Sequence, residues 1–213
     1  MILGVDHLAM SCADILRSAE DFRARGHEIK FIEQDLPNPE EKKNFLKTYR
    51  PTHSIAYCRP KQGVAVELTA HGSVLEEASC YTFEGEAQEG GIAEVICRSS
   101  DAAASRIFWT EGLGFSETDG KTFFKAVFPH WSLKISFRED REWKPGFLDS
   151  AGFPCLAFLT RNIEEDLLRL GKAGAACSTR PFRMQVNHKS LKAAIVRGPG
   201  GEIVELLDIN TEK

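Results

Sequence analysis

Short apolar runs of strand length recur along the chain, and three of them open with similar phrases. The three runs are 4–10, 91–97 and 152–158. Each run is followed within a few residues by a candidate N-cap of a helix, namely Asp14, Asp101 and Asn162. This spacing predicts one strand–helix unit that occurs three times along the chain.

The residues after each candidate cap have the spacing of an amphipathic helix that ends at glycine. The three apolar faces are Ile15, Ala19 and Phe22; Ile107, Phe108 and Leu113; and Ile163, Leu167 and Leu170. Extended stretches separated by turn residues then follow. These stretches are 27–33, 53–59 and 64–70 in the first unit, 115–118, 122–128 and 132–137 in the second, and 176–182, 191–197 and 203–208 in the third. We therefore predict an α+β fold of three repeated β-α-β-β-β modules, whose curved mixed or antiparallel sheets enclose a cleft.

Breaks in this pattern predict how the chain is divided. An acidic, glycine-bounded segment separates the first two repeats. We predict a first module over residues 1–72, a linker over 73–90, and second and third modules that form a paired domain over 91–213. A long excursion at 36–51 interrupts the first module, and it is either a solvated surface loop or a lid over a site.

Side chains alternate between the two faces of a strand, and this alternation places three ionisable residues on largely apolar faces. They are His7 in the first strand of module one, Glu67 in its last strand, and Glu205 in the last strand of module three. A charged carboxylate on such a face is costly unless it is paired or binds a metal. Imidazole and carboxylate together suit a divalent ion such as Zn²⁺, Fe²⁺, Ni²⁺ or Mn²⁺. In module two, Glu94 takes the position of the histidine and Ile135 that of the glutamate.

Three short motifs, in this order, resemble those of the vicinal-oxygen-chelate superfamily, which includes glyoxalase I, bleomycin-resistance proteins, fosfomycin-resistance enzymes and extradiol dioxygenases. The motifs are Val5-Asp6-His7-Leu8 in the first strand, Gly112-Leu113-Gly114-Phe115 after a helix, and the closing phrase Gly198-Pro199-Gly200-Gly201-Glu202-Ile203-Val204-Glu205-Leu206. The resemblance spans nearly the whole chain apart from the linkers. It implies that two modules pack together and that their curved sheets enclose a cleft with one divalent metal.

The resemblance also implies a site and a class of reaction. First-strand and last-strand residues bind the metal in this family, which makes His7, Glu67 and Glu205 the expected ligands and gives both glutamates a catalytic role. Open coordination positions would take two neighbouring oxygens of a small oxygen-rich substrate, or dioxygen, with the metal as Lewis acid. The expected function is a metal-dependent isomerase, lyase or dioxygenase. The alternative is a metal-free protein of the bleomycin-resistance type, which binds or sequesters a small molecule in the same cleft.

Two features depart from the family pattern. Members usually have an even number of modules, whereas three are visible here, and module three has Cys155 where a first-strand histidine is expected. Three arrangements are therefore open. Modules two and three could pair around a degenerate set without histidine. Modules one and three could pair, with Cys155 joining the three expected ligands. Finally, module one could meet its own copy in a homodimer and supply two histidines and two glutamates.

The composition of the chain indicates which binding partners and which cellular compartment to expect. The net charge is −4, the pI is near 5.9 and no long basic run occurs, so nucleic acid is not an expected partner. No apolar run approaches the roughly 20 residues of a membrane-spanning helix, and the first residues do not resemble a signal peptide, so no membrane association is expected. The six cysteines form no C-x-x-C pair, which favours reduced thiols and a cytoplasmic protein. A small-molecule substrate and a second copy of the chain are the expected partners.

Three further groups of polar residues are weaker candidates, for which ordinary strand or loop surface is the favoured interpretation. They are His53, Tyr57 and Arg59, which share a strand face and could contact substrate; Arg183, His188 and Arg197, which could bind an anionic group; and His130 with Trp131, which could line a pocket.

Overall fold

The computed structural model describes residues 1–72, 74–82, 94–117, 122–127 and 131–208. Its elements run as a strand, a helix and further strands, three times over. The strands form a mixed sheet, so the predicted α+β class is confirmed. Within these described ranges, no helix is long and apolar enough to cross a membrane.

Module one has a long first strand, a helix and three further strands. Its elements are β1 (Ile2–Ser11), α1 (Ile15–Ala24), β2 (Glu28–Pro37), a 3-10 helix (Glu40–Phe45), β3 (Thr52–Arg59) and β4 (Ala65–Ala70). The segment that follows, which was predicted as a linker, contains two short strands. These are β5 (Leu75–Ala78) and β6 (Tyr81–Thr82).

Modules two and three repeat this order with small differences. Module two consists of β7 (Glu94–Ser99), α2 (Ala102–Ile107), a π-helical turn (Phe108–Gly112), β8 (Ser116–Glu117), β9 (Thr122–Val127) and β10 (Trp131–Glu139). Module three consists of β11 (Ser150–Thr160), α3 (Ile163–Lys172), β12 (Cys177–Ser178), β13 (Phe182–Val186), β14 (Lys189–Arg197) and β15 (Ile203–Asp208). The hairpin between β13 and β14 turns at Asn187 and His188, whose φ angles of 48° and 61° suit a two-residue hairpin loop.

The three helices begin where the caps were predicted. The side chains of Asp14, Asp101 and Asn162 each accept a hydrogen bond from a backbone N–H three residues on, at 3.0, 2.9 and 3.1 Å. These bonds satisfy donors that would otherwise lack an intrahelical partner. The apolar faces of α1 and α3 pack on the sheet, so the predicted amphipathic spacing is confirmed for both helices.

The predicted apolar face of the second helix is wrong at one position. Ile107 is 49% exposed, whereas Phe108 and Trp109 are fully buried. After Ile107 the backbone continues as a π-helical turn. Such a turn has i→i+5 hydrogen bonds and therefore shifts the face that the following residues present. A pattern that assumes 3.6 residues per turn places the wrong side chain in the core.

Strand pairing shows which modules meet. Within each module the first and last strands are parallel neighbours: β1 with β4, β7 with β10, and β11 with β15. Between modules, β1 pairs antiparallel with β11, so that His7 lies opposite Ala157 and Ala9 lies opposite Cys155. Module two contacts both of these modules. Its strand β9 pairs with β1 of module one, and the short strand β6 pairs with both β7 of module two and β11 of module three. Of the arrangements left open by the sequence, the structure has modules one and three paired within one chain. The division into a 1–72 module and a 91–213 domain stays a prediction.

The core consists of two apolar clusters. The larger one contains residues from all three modules and from the apolar faces of the helices, with Trp109 and Phe158 among its fully buried side chains. The second contains side chains from modules one and three, among them Ile55, Phe182 and Ile195. Apolar packing therefore surrounds the polar side chains that lie on the facing strands of modules one and three.

Candidate metal centre

The three predicted ligands come together in the structure. His7, Glu67 and Glu205 each offer one donor atom, and these atoms all lie within 4.8 Å of one another. The Nε2 atom of His7 is 3.7 Å from Oε1 of Glu67 and 3.9 Å from Oε2 of Glu205. Residues from the beginning, the first third and the end of the chain thus form one cluster.

Strand register explains this convergence. Glu67 on β4 lies beside Ala9 of β1, and Glu205 on β15 lies beside Ala157 of β11. Since His7 is opposite Ala157 across the β1–β11 pair, the four strands β4, β1, β11 and β15 are consecutive neighbours. The two glutamates therefore approach the histidine from opposite sides of the junction between the modules.

The same register identifies the counterpart of His7 in module three. In module one, the glutamate of the last strand lies beside Ala9, which is two residues after His7. In module three, the glutamate of the last strand lies beside Ala157, which is two residues after Cys155. Cys155 therefore occupies the position in module three that His7 occupies in module one. Cys155 is 1% exposed, and burial raises the pKa of its thiol, which keeps it neutral. It is not among the residues whose donor atoms converge within 4.8 Å. Among the described residues, the convergent group therefore consists of three candidate ligands without Cys155, although the cysteine lines the same small cavity as the two glutamates.

The described part of module two contributes no side chain to the cluster. Glu94, which takes the histidine position there, is half exposed and forms an ion pair of 2.8 Å with Lys134. The register of β7 on β10 pairs Val95 with Ile135 and Ile96 with Ser136. The position that corresponds to Glu67 is therefore Ser136, one residue after Ile135, which comparison of the repeats in the sequence had placed there. Neither Ile135 nor Ser136 has a carboxylate that could bind a metal.

The neighbouring carboxylates strongly raise the pKa of His7. Burial by itself lowers the pKa of His7, but the charges of Glu67, Asp6 and Glu205, together with a hydrogen bond to Asp6, outweigh burial and raise it to about 9. The Nδ1–H group donates to Oδ2 of Asp6 at 2.8 Å. This bond directs Nε2 towards the two glutamates, as the outer hydrogen bond of a metal-binding histidine does.

Asp6 is a site residue that the alternation pattern missed. In a regular strand, neighbouring side chains point to opposite faces, which would separate Asp6 from His7. Here the pairing of β1 with β11 slips between Val5 and His7, so the strand is irregular at Asp6. A bulge of this kind re-aims a side chain, and it allows the carboxylate to reach the imidazole of the next residue.

The residues present fit a divalent metal ion. Nε2 of His7 and Oε1 of Glu205 are buried and have no hydrogen-bond partner in the described structure. Two metal bonds of about 2.1 Å place their donor atoms between about 3.4 Å apart at a tetrahedral angle and about 4.2 Å when collinear. The two separations from Nε2 of His7, 3.7 and 3.9 Å, lie in this range and are too long for hydrogen bonds, and the donor atoms of all three residues lie within 4.8 Å of one another. One imidazole and two carboxylates suit borderline and hard divalent ions.

The excursion at 36–51 covers one side of this cluster. Its 3-10 helix buries Phe45, and the carboxylate of Asp149 accepts hydrogen bonds from the backbone N–H groups of Lys47 and Thr48 at 2.9 and 3.0 Å. The helix also carries Lys42, which is 6% exposed. Lys42 lines a cavity of about 20 Å³, together with Glu67 and Glu205. The excursion is therefore packed over the cluster like a lid, and it is not a solvated loop.

Two further histidines lie near the lid. The rings of His53 and His71 stack at 5.4 Å, and both are nearly fully buried. Burial, with the charge of Lys42 as a smaller contribution, lowers the pKa of His53 to about 2 and that of His71 to about 3. Both rings are therefore neutral at physiological pH. They are not among the convergent metal-binding groups of the described residues.

The weaker candidates have different surroundings. Tyr57 and Arg59 line a pocket next to Asp6. Arg197 donates hydrogen bonds to the carbonyl groups of Gly146 and Gly201, which is a structural role. His188 forms part of the exposed hairpin turn. Arg183 is exposed at the edge of another pocket, and the side chains of His130 and Trp131 lie outside the described residues.

Comparisons with known proteins found structural likeness only. No protein-family model and no curated protein matches the chain. Glyoxalase I from Zea mays is similar, with 18% identity, a TM-score of 0.37 and coverage of 97% of this chain and 68% of that one. Methylmalonyl-CoA epimerase from Mycobacterium tuberculosis is similar with 12% identity, a TM-score of 0.46 and coverage of 97% and 88%. An integron cassette protein of V. cholerae is similar with 15% identity, a TM-score of 0.39 and coverage of 61% and 100%.

Proposed function

We propose that the chain is a divalent-metal-dependent enzyme of the vicinal-oxygen-chelate type, which acts on a small oxygen-rich molecule as an isomerase, lyase or dioxygenase. The convergence of His7, Glu67 and Glu205 carries this proposal. Buried donor atoms without hydrogen-bond partners are costly, and a bound cation would satisfy them. When bound, the ion would supply Lewis-acid stabilisation of negative charge that develops on a substrate oxygen.

The protein's own residues have distinct roles in this proposal. Asp6 holds the ring of His7 in place through Nδ1 and keeps Nε2 directed at the carboxylates. Burial raises the pKa of Glu67, although the charge of His7 opposes it, and this brings the carboxyl group closer to the range in which it could exchange a proton with a substrate. Glu205 is buried beside it and completes the anionic side of the site. The surrounding apolar cluster limits the access of water.

Metal content tests the proposal. The purified protein should contain close to one equivalent of Zn, Fe, Ni or Mn by elemental analysis, and the His7→Ala/Glu67→Ala double variant should lose it. Glu94→Ala is the matched control, because it removes a half-exposed glutamate at the equivalent position of module two. Substoichiometric metal that the double variant does not change would overturn the proposal.

Two observations favour a metal-free binding protein as the second candidate. Because the pKa of His7 is raised to about 9, its imidazolium form could balance the carboxylate charge without any metal. The loss of a fourth ligand position to Cys155 points in the same direction. In that case the folded variants would differ in ligand binding but not in metal content.

The predicted homodimer and the cytoplasmic location stay predictions. The homodimer was one way to complete a ligand set from two copies of module one. Since β1 pairs with β11 of the same chain, the three converging ligands come from one copy. Size-exclusion chromatography with light scattering would test whether the chain is a dimer for another reason.

A further inference from the structure

A pocket of about 430 Å³ is lined in part by Asp6, the residue that bonds the ring of His7. By contrast, the cavity beside Glu67 and Glu205 is about 20 Å³, which holds little more than one water molecule. A volume of a few hundred Å³ is typical of sites for small organic molecules. Of these two cavities, only the pocket of about 430 Å³ has room for a small organic substrate.

Two stacked aromatic rings form one wall of this pocket. Phe31 on β2 lies opposite Tyr57 on β3, and their rings stack with centroids 5.8 Å apart and an angle of 16°. Tyr57 also contacts the edge of the His7 ring at 5.8 Å, and its hydroxyl donates to Asp6 at 3.4 Å. The aromatic wall is thus in direct contact with the residues that hold the metal ligand.

Most of the charged side chains that line the pocket are basic. Lys30, Arg59 and Lys61 line it, whereas Asp6 is its one acidic lining residue in the described structure. The carboxylate of Asp6 is already bonded to His7, and Lys30 forms an ion pair of 2.6 Å with Glu28 outside the pocket. The remaining two cations, Arg59 and Lys61, are exposed and belong to the end of β3 and the following turn. This distribution favours a negatively charged ligand.

Module three also contributes to the lining of the pocket. Asn187, at the turn of the β13–β14 hairpin, lines the pocket, and its backbone N–H donates to Oε2 of Glu33 on β2 at 2.8 Å. Ala65 lines the floor, two residues before Glu67 on the same face of β4, a distance of about 7 Å along a strand. The pocket therefore lies between the same two modules as the three ligands, and it extends along the strand from Glu67.

We propose that this pocket binds the substrate and that the substrate is a small planar anion, an aromatic or conjugated carboxylate or phosphate monoester. Its flat part packs on Phe31 and Tyr57, and its anionic group binds Arg59 and Lys61. Arginine suits this task because its planar guanidinium group bonds carboxylate and phosphate in a bidentate manner. The assignment as the substrate pocket rests on the proposed function, but the anion binding itself does not require a metal.

Calorimetric titration of the metal-free protein tests the pocket. The probes are phenyl phosphate, benzoate and inorganic phosphate. We expect phenyl phosphate or benzoate to bind about tenfold more tightly than inorganic phosphate, since only the aromatic probes use the Phe31–Tyr57 wall. Arg59→Gln should weaken binding of the aromatic probes about tenfold, and Phe31→Ala should abolish the preference over inorganic phosphate. Comparison of the two aromatic probes distinguishes a carboxylate site from a phosphate site.

Arg23→Gln is the matched control, because Arg23 is a half-exposed arginine on α1 that pairs with Glu20. It should leave binding of every probe unchanged. Equal binding of the aromatic probes to the wild type, Arg59→Gln and Phe31→Ala would overturn the proposal, as would the absence of binding to the wild type. Metal content is measured separately, so that the two proposals can fail independently. Anion binding by a protein that takes up no metal would refute the proposed metal-dependent function and support the anion pocket. Metal binding without anion binding would support the metal centre and refute the anion pocket.

Discussion

Metal binding at the candidate centre should compete with the proton on His7, and pH is the perturbation that reveals this competition. The pKa of His7 is about 9 in the metal-free protein, but a metal binds only the neutral imidazole. At pH 7, which is about two units below that pKa, about one molecule in a hundred has a neutral His7. The apparent affinity at pH 7 should therefore be about 100-fold weaker than at high pH, and it should rise about tenfold for each pH unit between.

Titration calorimetry with Mn²⁺ between about pH 6.5 and about pH 8 measures this dependence. Each titration is repeated in two buffers of different ionisation enthalpy, which gives the number of protons released for each ion bound. We expect about one proton for each ion, because most His7 side chains are protonated in this pH range and must become neutral to bind a metal. The Asp6→Asn variant removes a negative charge that raises the pKa of His7 and leaves only a neutral oxygen as the acceptor for its Nδ1–H group, so its affinity should level off at a lower pH.

The control is Glu94→Gln, which leaves the surroundings of His7 unchanged and should retain the wild-type pH profile. A dissociation constant that is flat over this pH range, with no proton release, would refute the reasoning. It would show that His7 is already neutral in the metal-free protein, or that the ion binds without it.

Two further predictions concern the stability of the metal-free protein, measured by urea denaturation. Stability should be greatest near pH 6.5: above it, the unfolded chain releases the proton of His7 while the folded state keeps it up to about pH 9, which removes roughly 3 kcal/mol by that pH. Below it, His53 and His71 stay neutral in the fold while the unfolded chain binds protons, which removes up to about 2 kcal/mol for each by pH 5. A stability that is flat across this range would contradict both assignments. Gly201→Ala should cost more than Gly26→Ala, about 2 kcal/mol or more against about 1, because both have positive φ but only the first would place its methyl 2.6 Å from a proline ring carbon. Equal losses would contradict this packing argument.

Short-range rules allowed much of the architecture to be predicted from the sequence. The caps at Asp14, Asp101 and Asn162 depend on a side chain that bonds a backbone group three residues away, so local sequence determines them. The strand positions of His7 and Glu67 follow from the alternation of faces, and the cost of burying charge indicated that such residues belong to a site. These inferences need no knowledge of which segments meet.

Tertiary structure decided the features that depend on distant segments. The pairing of β1 with β11 selects modules one and three as partners, and nothing within either strand specifies the other, because apolar strands of similar length are interchangeable as sequence patterns. The bulge that joins Asp6 to His7 is a consequence of that pairing. The position of Lys42 depends on the docking of the lid on the segment around Asp149, more than a hundred residues away. The sequence by itself therefore determined which residues could form a site, and the long-range strand pairing determined that three of them do so within one chain.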